Sequence, residues 1–299
     1  MSARQGFVTK QGRRSPSLGP VSDLERHLPA EWWRTLFTSN YLRTDGDVVE
    51  NADNTSADVD RLVAAAGLRP GDKILDLCCG QGRHVLELAR RGYDQVTGVD
   101  RSRFLIRLAR RRAKTAGLPV VFHEGDARRF RLEPGTFDCV CLMGNSFGYF
   151  EHAADDKAVL TAARRALRPG GILVMDLADG DWMRENLEMR SWEWIDDRHF
   201  VVRERCLSAD GDRVISRELL THVEQGVLVD QFYAERLYSA QRLAALLAEA
   251  GFERFSQQGD MEAQSQRNQD LGLMAHRMFY AARRPATVAV RQGVPEMSV

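Results

Sequence analysis

No run of about 18 apolar residues occurs in this chain, so no segment reads as spanning a membrane. The N-terminus has no apolar stretch of the kind a secretory signal needs. Its first acidic residue, Asp23, follows Arg4, Lys10, Arg13 and Arg14, which loosely resembles an organelle transit peptide. Gly12, Pro16, Gly19 and Pro20 oppose the amphipathic helix such a peptide forms, and an unstructured tail is expected. Cysteine is scarce and odd in number: Cys78, Cys79, Cys139, Cys141 and Cys206. This is no secreted disulfide framework, and a reducing cytoplasm is expected. The cysteine pairs also lack zinc-ribbon spacing and lie in apolar runs, where the thiol acts as a small hydrophobe; no metal is expected. A net charge of either sign is missing too, since 42 Lys and Arg offset 42 Asp and Glu. No global basic field is present to hold nucleic acid. The run Arg107, Arg110, Arg111, Arg112 and Lys114 falls on one helix and reads as a solvated face. No repeat of 20–50 residues is visible.

What is present is a β-α rhythm in 299 residues that are 43% hydrophobic. Strands are expected at 73–78, 95–100, 120–124, 137–143 and 172–178. Helices are expected at 83–91, 102–116 and 153–167, stopped by glycine or by the Arg168-Pro-Gly-Gly turn. Such alternation favours a parallel sheet with helices on both faces. After residue 180 the rhythm changes to three antiparallel strands, 199–207, 213–223 and 226–237, then a helix at 239–250 and two closing strands. One folded unit over 23–285 is expected, divided into a helical region 23–67, a core 68–180, an inserted ribbon 181–238 and a C-terminal part 239–285. The segments 1–22 and 286–299 read as tails.

The most informative stretch is Lys73 to His84, Lys-Ile-Leu-Asp-Leu-Cys-Cys-Gly-Gln-Gly-Arg-His. It reads as a buried strand carrying Asp76, a turn at Gly80 and Gly82, and a helix start. Such a turn lets backbone N–H groups meet a ligand. An acid there disfavours phosphate and suits a ligand with positive charge or hydroxyls, which points to S-adenosylmethionine. A dinucleotide fingerprint would also want a third glycine near position 85, where Val85 stands.

Taken with Val99-Asp100, Gly125-Asp126-Ala127, Phe137-Asp138 with Asn145-Ser146, Leu167-Arg-Pro-Gly-Gly171, and Tyr238-Ser-Ala-Gln-Arg-Leu with Ala250-Gly251-Phe252, the stretch Asp76-Leu-Cys-Cys-Gly80-Gln-Gly82 resembles the ordered motifs of class I S-adenosylmethionine-dependent methyltransferases over residues 55–283. One departure is Cys78, where that family usually has glycine. The resemblance implies an α/β, Rossmann-like sheet of seven strands with the last antiparallel, a helical N-terminal lid and a three-stranded antiparallel insertion after strand 5. The cofactor would lie across the carboxyl ends of the first strands.

By the same resemblance, Asp100 would accept the ribose hydroxyls, unless it merely starts the following helix. Asp76 would face the ligand's amino group, unless the turn's own N–H groups satisfy it. Asp126 would accept from the adenine amine while the Ala127 amide serves a ring nitrogen, with a plain turn as the alternative. Gly80 and Gly82 would admit the methionine part, with the Cys78 side chain crowding that approach slightly. Arg101 and Phe104 would flank the adenine, unless Phe104 is ordinary core. Met143 and Gly144 would lie beside the sulfur, and Tyr41 would touch the methionine head. Asn145 could position an acceptor; His199 and Tyr233, on the ribbon, are candidates to act on it. Trp32, Trp33, Trp192 and Trp194 read as core or interface. The implied function is methyl transfer to nitrogen or oxygen of a small molecule, by a monomer or homodimer. Transfer or cyclisation of the aminocarboxypropyl arm, which would release methylthioadenosine, stays open, as do a nucleotide-dependent oxidoreductase and a non-catalytic binding protein.

Overall fold

The fold is taken from a computed structural model, which describes residues 17–265, 267 and 271–286. Among them the strands form two sheets. The first has seven strands: β1 (Ile74–Leu77), β2 (Val96–Asp100), β3 (Val121–Glu124), β4 (Phe137–Leu142), β5 (Leu167–Ala178), β10 (Glu253–Met261) and β11 (Arg277–Arg283). Their spatial order is β10-β11-β5-β4-β1-β2-β3. β1 pairs parallel with β2 and β4, and β4 with β5, while β11 runs antiparallel between β5 and β10. All four residues of β1 are buried, as suits the middle of a sheet covered on both faces.

Alternation along the strands divides two cores. Leu75, Leu77, Val140 and Leu142 pack on the side of α6 (Ala153–Ala166) and α8 (Ala240–Glu249). Ile74, Cys139 and Cys141 face α3 (Ala52–Ala66), α4 (Arg83–Arg90) and α5 (Arg103–Ala116) with Val59, Leu88 and Ile106. The buried thiols thus serve as small hydrophobes. Ser102 caps α5 through the Leu105 amide, and Asn51 caps α3 through the Asp53 and Asn54 amides. No helix among the described residues is long and apolar enough to cross a membrane.

The second sheet has four strands, not the three expected: β6 (Arg190–Asp196), β7 (His199–Leu207), β8 (Arg213–His222) and β9 (Gly226–Arg236), all antiparallel. The short α7 (Gly180–Asn186) leads into it. The extra strand, β6, has its aromatic side chains facing out: Trp192 is 66% and Trp194 50% exposed, so neither is core. The buried face of β6 carries Glu193, paired with Arg203 at 2.8 Å. The helical region ahead of the core is also more broken than expected. Two 3-10 turns, at Glu25–His27 and Trp32–Arg34, precede α1 (Ser39–Thr44) and α2 (Gly46–Val49). Of the expected N-terminal tail, residues 1–16 lie outside the described residues, as do 287–299 of the C-terminal one. Residues 17–22 lie against the second sheet: the Leu18 amide donates to Asp230, and the Gly19 carbonyl accepts from Arg217.

Candidate active site

The carboxyl ends of β1, β2 and β4 open under the N-terminal segment, and two adjoining cavities lie there. The first, about 90 Å³, is lined by Trp33, Phe37, Tyr41, Cys78, Gly80, Asp100, Arg101, Asp126, Ala127, Gly144, Ser146, Tyr149 and Phe150, among others. Eight of these were expected beside the cofactor from the sequence: Tyr41, Cys78, Gly80, Asp100, Arg101, Asp126, Ala127 and Gly144. The turn after β1 explains the anomaly at Cys78. Its φ is +65°, the left-handed conformation in which glycine is unstrained and a side chain costs energy. The backbone keeps the glycine-type turn even though the residue is cysteine.

Asp100 ends β2 with both carboxylate oxygens held by backbone: Gly80 N–H donates to Oδ2 at 2.9 Å and Ser102 N–H to Oδ1 at 2.7 Å. Burial pushes its pKa up, and these two amides pull against that shift. Each oxygen retains a lone pair for a further donor. Asp126 already has a partner within the protein. Arg128 grips it through the backbone N–H, Nε and Nη2, at 3.0, 3.0 and 2.7 Å, and outweighs burial to hold its pKa low. The same guanidinium reaches Asp155 at 2.8 Å and lies 4.4 Å from the Phe150 ring centre.

Asp76 lies beneath the cavity, 1% exposed, and neither oxygen has a nitrogen or oxygen donor in hydrogen-bond range. Only the Cys141 thiol, a weak donor, bears on it. Burial first, and the neighbouring carboxylates Asp100 and Asp176 with it, pushes its pKa up to about 7, against the pull of Arg83. A buried carboxylate left this way is costly unless something cationic or hydrogen-bonding comes to it. His84 is nearby, with Nδ1 at 3.9 Å, but burial and Arg83 lower its pKa, so it gives no cation.

Three of the residues expected at this cavity are absent from its walls: the buried Asp76, and with it Gly82 and Met143. Gly82 (φ +79°) packs the first helix onto the sheet: a Cβ there would sit 2.8 Å from the Phe122 ring. Met143 is buried in the core beside Phe122 and Cys79.

The second cavity, about 110 Å³, shares Phe37, Tyr41, Gly144 and Tyr149 with the first. Its roof is one face of the second sheet. Register decides which side chains point in: Arg203, Glu218 and Gln231 are opposite one another, and so are Arg205, Ser216 and Tyr233, with Glu235 two residues further along β9. Of the ribbon candidates, Tyr233 therefore lines the cavity. His199 lines neither cavity; its Nδ1 faces Asp196 at 2.8 Å and its Nε2 faces Arg43 at 2.9 Å.

Asn145 also lines the second cavity, but its side chain is a latch. Its Oδ1 accepts from Ala178 N–H at 2.8 Å, and its Nδ2 donates to Glu235 at 2.5 Å. Gly144 (φ +73°) and Asn145 (φ +56°) are successive left-handed residues that turn both amides onto Asp176, at 2.7 and 3.0 Å. Arg277 completes that buried carboxylate. The loop after β4, which joins the two cavities, is thereby fixed to β5 and β11.

The N-terminal segment closes the site from above. Trp32 meets Tyr149 and Tyr233 with ring centres 5.2 and 5.9 Å apart, and Phe37 stacks on Tyr149 at 5.7 Å. Ser102 Oγ donates to the Phe37 carbonyl at 2.8 Å, and Gln81 Nε2 to that of Val49 at 2.9 Å. Tyr149, Glu218 and Glu235 were not singled out from the sequence. For the two acids the available signal was strand alternation, which names a face only once the register is known.

A family model described as a methyltransferase domain matches residues 74–171. The ubiquinone biosynthesis O-methyltransferase of Cereibacter sphaeroides is 30% identical over 174 residues, which cover 56% of this chain and 67% of that protein. The chain belongs to the class I S-adenosylmethionine-dependent methyltransferases. Its cofactor is S-adenosylmethionine. A 37.1 kDa protein in transposon TN4556 of Streptomyces fradiae is 40% identical over 123 residues, 40% of this methyltransferase; the match spans about a third, 34%, of that relative's length. The fold is shared with an S-adenosylmethionine-dependent methyltransferase from Clostridium acetobutylicum: TM-score 0.66 at 17% identity, covering 83% of this chain and 98% of that one.

Proposed function

We propose that this methyltransferase methylates nitrogen or oxygen of a small molecule held in the cavity beneath the second sheet. The observation that carries the reading is the closure of that cavity. Its roof is a sheet and its front is the Trp32–Phe37 segment, so an acceptor must be small enough to be enclosed. The likeness to an enzyme named for O-methylation in ubiquinone biosynthesis supports a small acceptor as well.

The cofactor fits the adjoining cavity chemically. Asp100 offers its remaining lone pairs to the ribose diol. The unpartnered Asp76 carboxylate answers the methionine ammonium, directly or through water. The Ala127 amide and Asp126 serve the adenine edge, with Arg128 keeping the Asp126 carboxylate ionised. Tyr41, in the wall of both cavities, covers the methionine part.

Bound there, S-adenosylmethionine supplies a methyl carbon already activated by its sulfonium. The protein's share is alignment and exclusion of water. Gly144 and Tyr149, common to both cavities, mark the place where acceptor and methyl carbon would meet. Asp176 and Asn145 hold that loop rigid. Incubation with methyl-labelled cofactor and size-fractionated cell extract tests the reading. Label is expected in the small-molecule fraction; label in protein or nucleic acid instead would contradict it.

A further inference from the structure

We infer that Glu235 is the residue that binds the acceptor and takes its proton, and that the acceptor is a small amine presented as its ammonium. The inference rests on the small-molecule reading above and deepens it. Glu235 lines the enclosed second cavity, two residues along β9 from Tyr233. Among the described residues its one hydrogen-bond partner is the Asn145 amide at 2.5 Å, a neutral donor, and no cation lies within ion-pair distance.

The cavity's arginines do not fill that gap. Arg203 is committed to Glu193 at 2.8 Å and Glu218 at 3.1 Å, while Arg205 donates to the Glu188 carbonyl at 3.1 Å. A second carboxylate in the same wall, Asp45, is bonded only to the Thr44 hydroxyl, at 2.6 Å. Burial, and after it Asp45, pushes the Glu235 pKa up to about 8, against the pull of Asn145 and Arg205. Among the described residues neither Glu235 nor Asp45 forms an ion pair, so Glu235 is held near its protonation midpoint until a cation arrives and favours the carboxylate.

The wall also carries five aromatic residues, Trp32, Phe37, Tyr41, Tyr149 and Tyr233, a residue type whose ring face attracts a cation. An alcohol brings one neutral O–H donor to these two carboxyl groups; an ammonium brings three donors and the opposite charge. The same placement gives Glu235 its chemistry. An ammonium has no lone pair to attack with, so a proton must leave first. The N–H bond breaks toward Glu235, which becomes the neutral acid. The freed lone pair forms the N–C bond to the methyl carbon as the S–C bond breaks, and that electron pair stays on sulfur. The product is an N-methylammonium, and Glu235 returns its proton to solvent when the lid opens. A carboxyl group with a pKa near neutrality suits that exchange.

The test uses protein saturated with S-adenosylhomocysteine and calorimetric titration of matched pairs: benzylamine against benzyl alcohol, 2-phenylethylamine against 2-phenylethanol, and cyclohexylmethylamine against cyclohexylmethanol. At least one amine should bind tenfold or more tightly than its alcohol. Glu235→Gln should abolish that preference, and Asp45→Asn should reduce it, while the affinity for S-adenosylhomocysteine stays within threefold. If no amine exceeds its alcohol, or if E235Q keeps the preference, the inference is wrong. If E235Q instead weakens S-adenosylhomocysteine more than tenfold, Glu235 serves the cofactor's own ammonium and the inference also falls. Failure of wild-type protein to bind S-adenosylhomocysteine at all would refute the cofactor reading itself, a separate result.

Discussion

Replacing Asp100 probes the cofactor cavity at its best-defined point. In the structure each of its oxygens already accepts one backbone N–H, from Gly80 at 2.9 Å and Ser102 at 2.7 Å, so the carboxylate is fixed before any ligand arrives. Two ribose hydroxyls donating to a fixed, ionised acceptor are charge-assisted bonds worth roughly 1.5–3 kcal/mol each. Water in the emptied space of Asp100→Ala replaces part of this, and a net loss of about 2–4 kcal/mol is expected. That is on the order of 30- to 1000-fold in affinity. Asp100→Asn is not a mild substitute. One of its two terminal atoms must be an NH₂ facing an N–H, so one backbone contact is lost and the charge with it; a loss of roughly 10- to 100-fold is expected. Calorimetric titration with S-adenosylhomocysteine reads both variants, and thermal unfolding of the apo proteins separates binding from stability. The alanine variant should also unfold about 1–2 kcal/mol more easily, because it orphans the Gly80 and Ser102 amides. Binding of S-adenosylhomocysteine by folded D100A within threefold of wild type would refute the assignment of Asp100 to the ribose.

Three further outcomes are expected. Cys78→Gly should leave stability within about 1 kcal/mol of wild type, since relief of the left-handed conformation (φ +65°) opposes glycine's extra unfolded-state entropy; a loss above 2 kcal/mol in a urea melt would show the thiol to be needed for packing. Gly82→Ala should cost roughly 2–4 kcal/mol through its positive φ and its 2.8 Å approach to Phe122, yet leave S-adenosylhomocysteine affinity within threefold in protein that is still folded. The third concerns pH. The folded apo protein keeps a proton on Asp76 up to about pH 7, whereas an unfolded aspartate releases it near the ordinary 3.8. Its contribution is therefore present below the unfolded pKa and lost as pH rises through that window, at up to about 1.4 kcal/mol per unit. Asp76→Asn should gain on wild type between pH 4 and 7 in denaturant melts, and a difference flat with pH would contradict the orphaned carboxylate.

The sheet and its motifs were legible because each motif is tied to a strand end. Asp76, Asp100, Ala127 and Gly144 lie in or just after four strands whose order along the chain fixes their place in a doubly wound sheet. Even the misfit at Cys78 kept its turn, since Gly80 and Gly82 still punctuate it. The second sheet was less legible because its patterning is reversed. On β6 the buried residue is Glu193 and the exposed ones are Trp192 and Trp194, so a search for apolar alternation misses the strand. Tyr233 and His199 looked equivalent on the ribbon; His199 is in phase with the inward Arg203 and Arg205 but stands at the start of β7, beyond the cavity, where Asp196 and Arg43 engage it. Glu235 was one acid among 42 Asp and Glu. Its lack of a cation is a three-dimensional property of β7, β9 and the Asn145 loop together, with no local signature.

A crystal structure with S-adenosylhomocysteine bound is the most direct check on the division of the site into two cavities. The nucleoside should lie with its ribose hydroxyls on Asp100, its ammonium toward Asp76, and its sulfur at Gly144 and Tyr149, aimed into the space before Glu235. A nucleoside found elsewhere, or one whose sulfur points away from that space, would contradict the account.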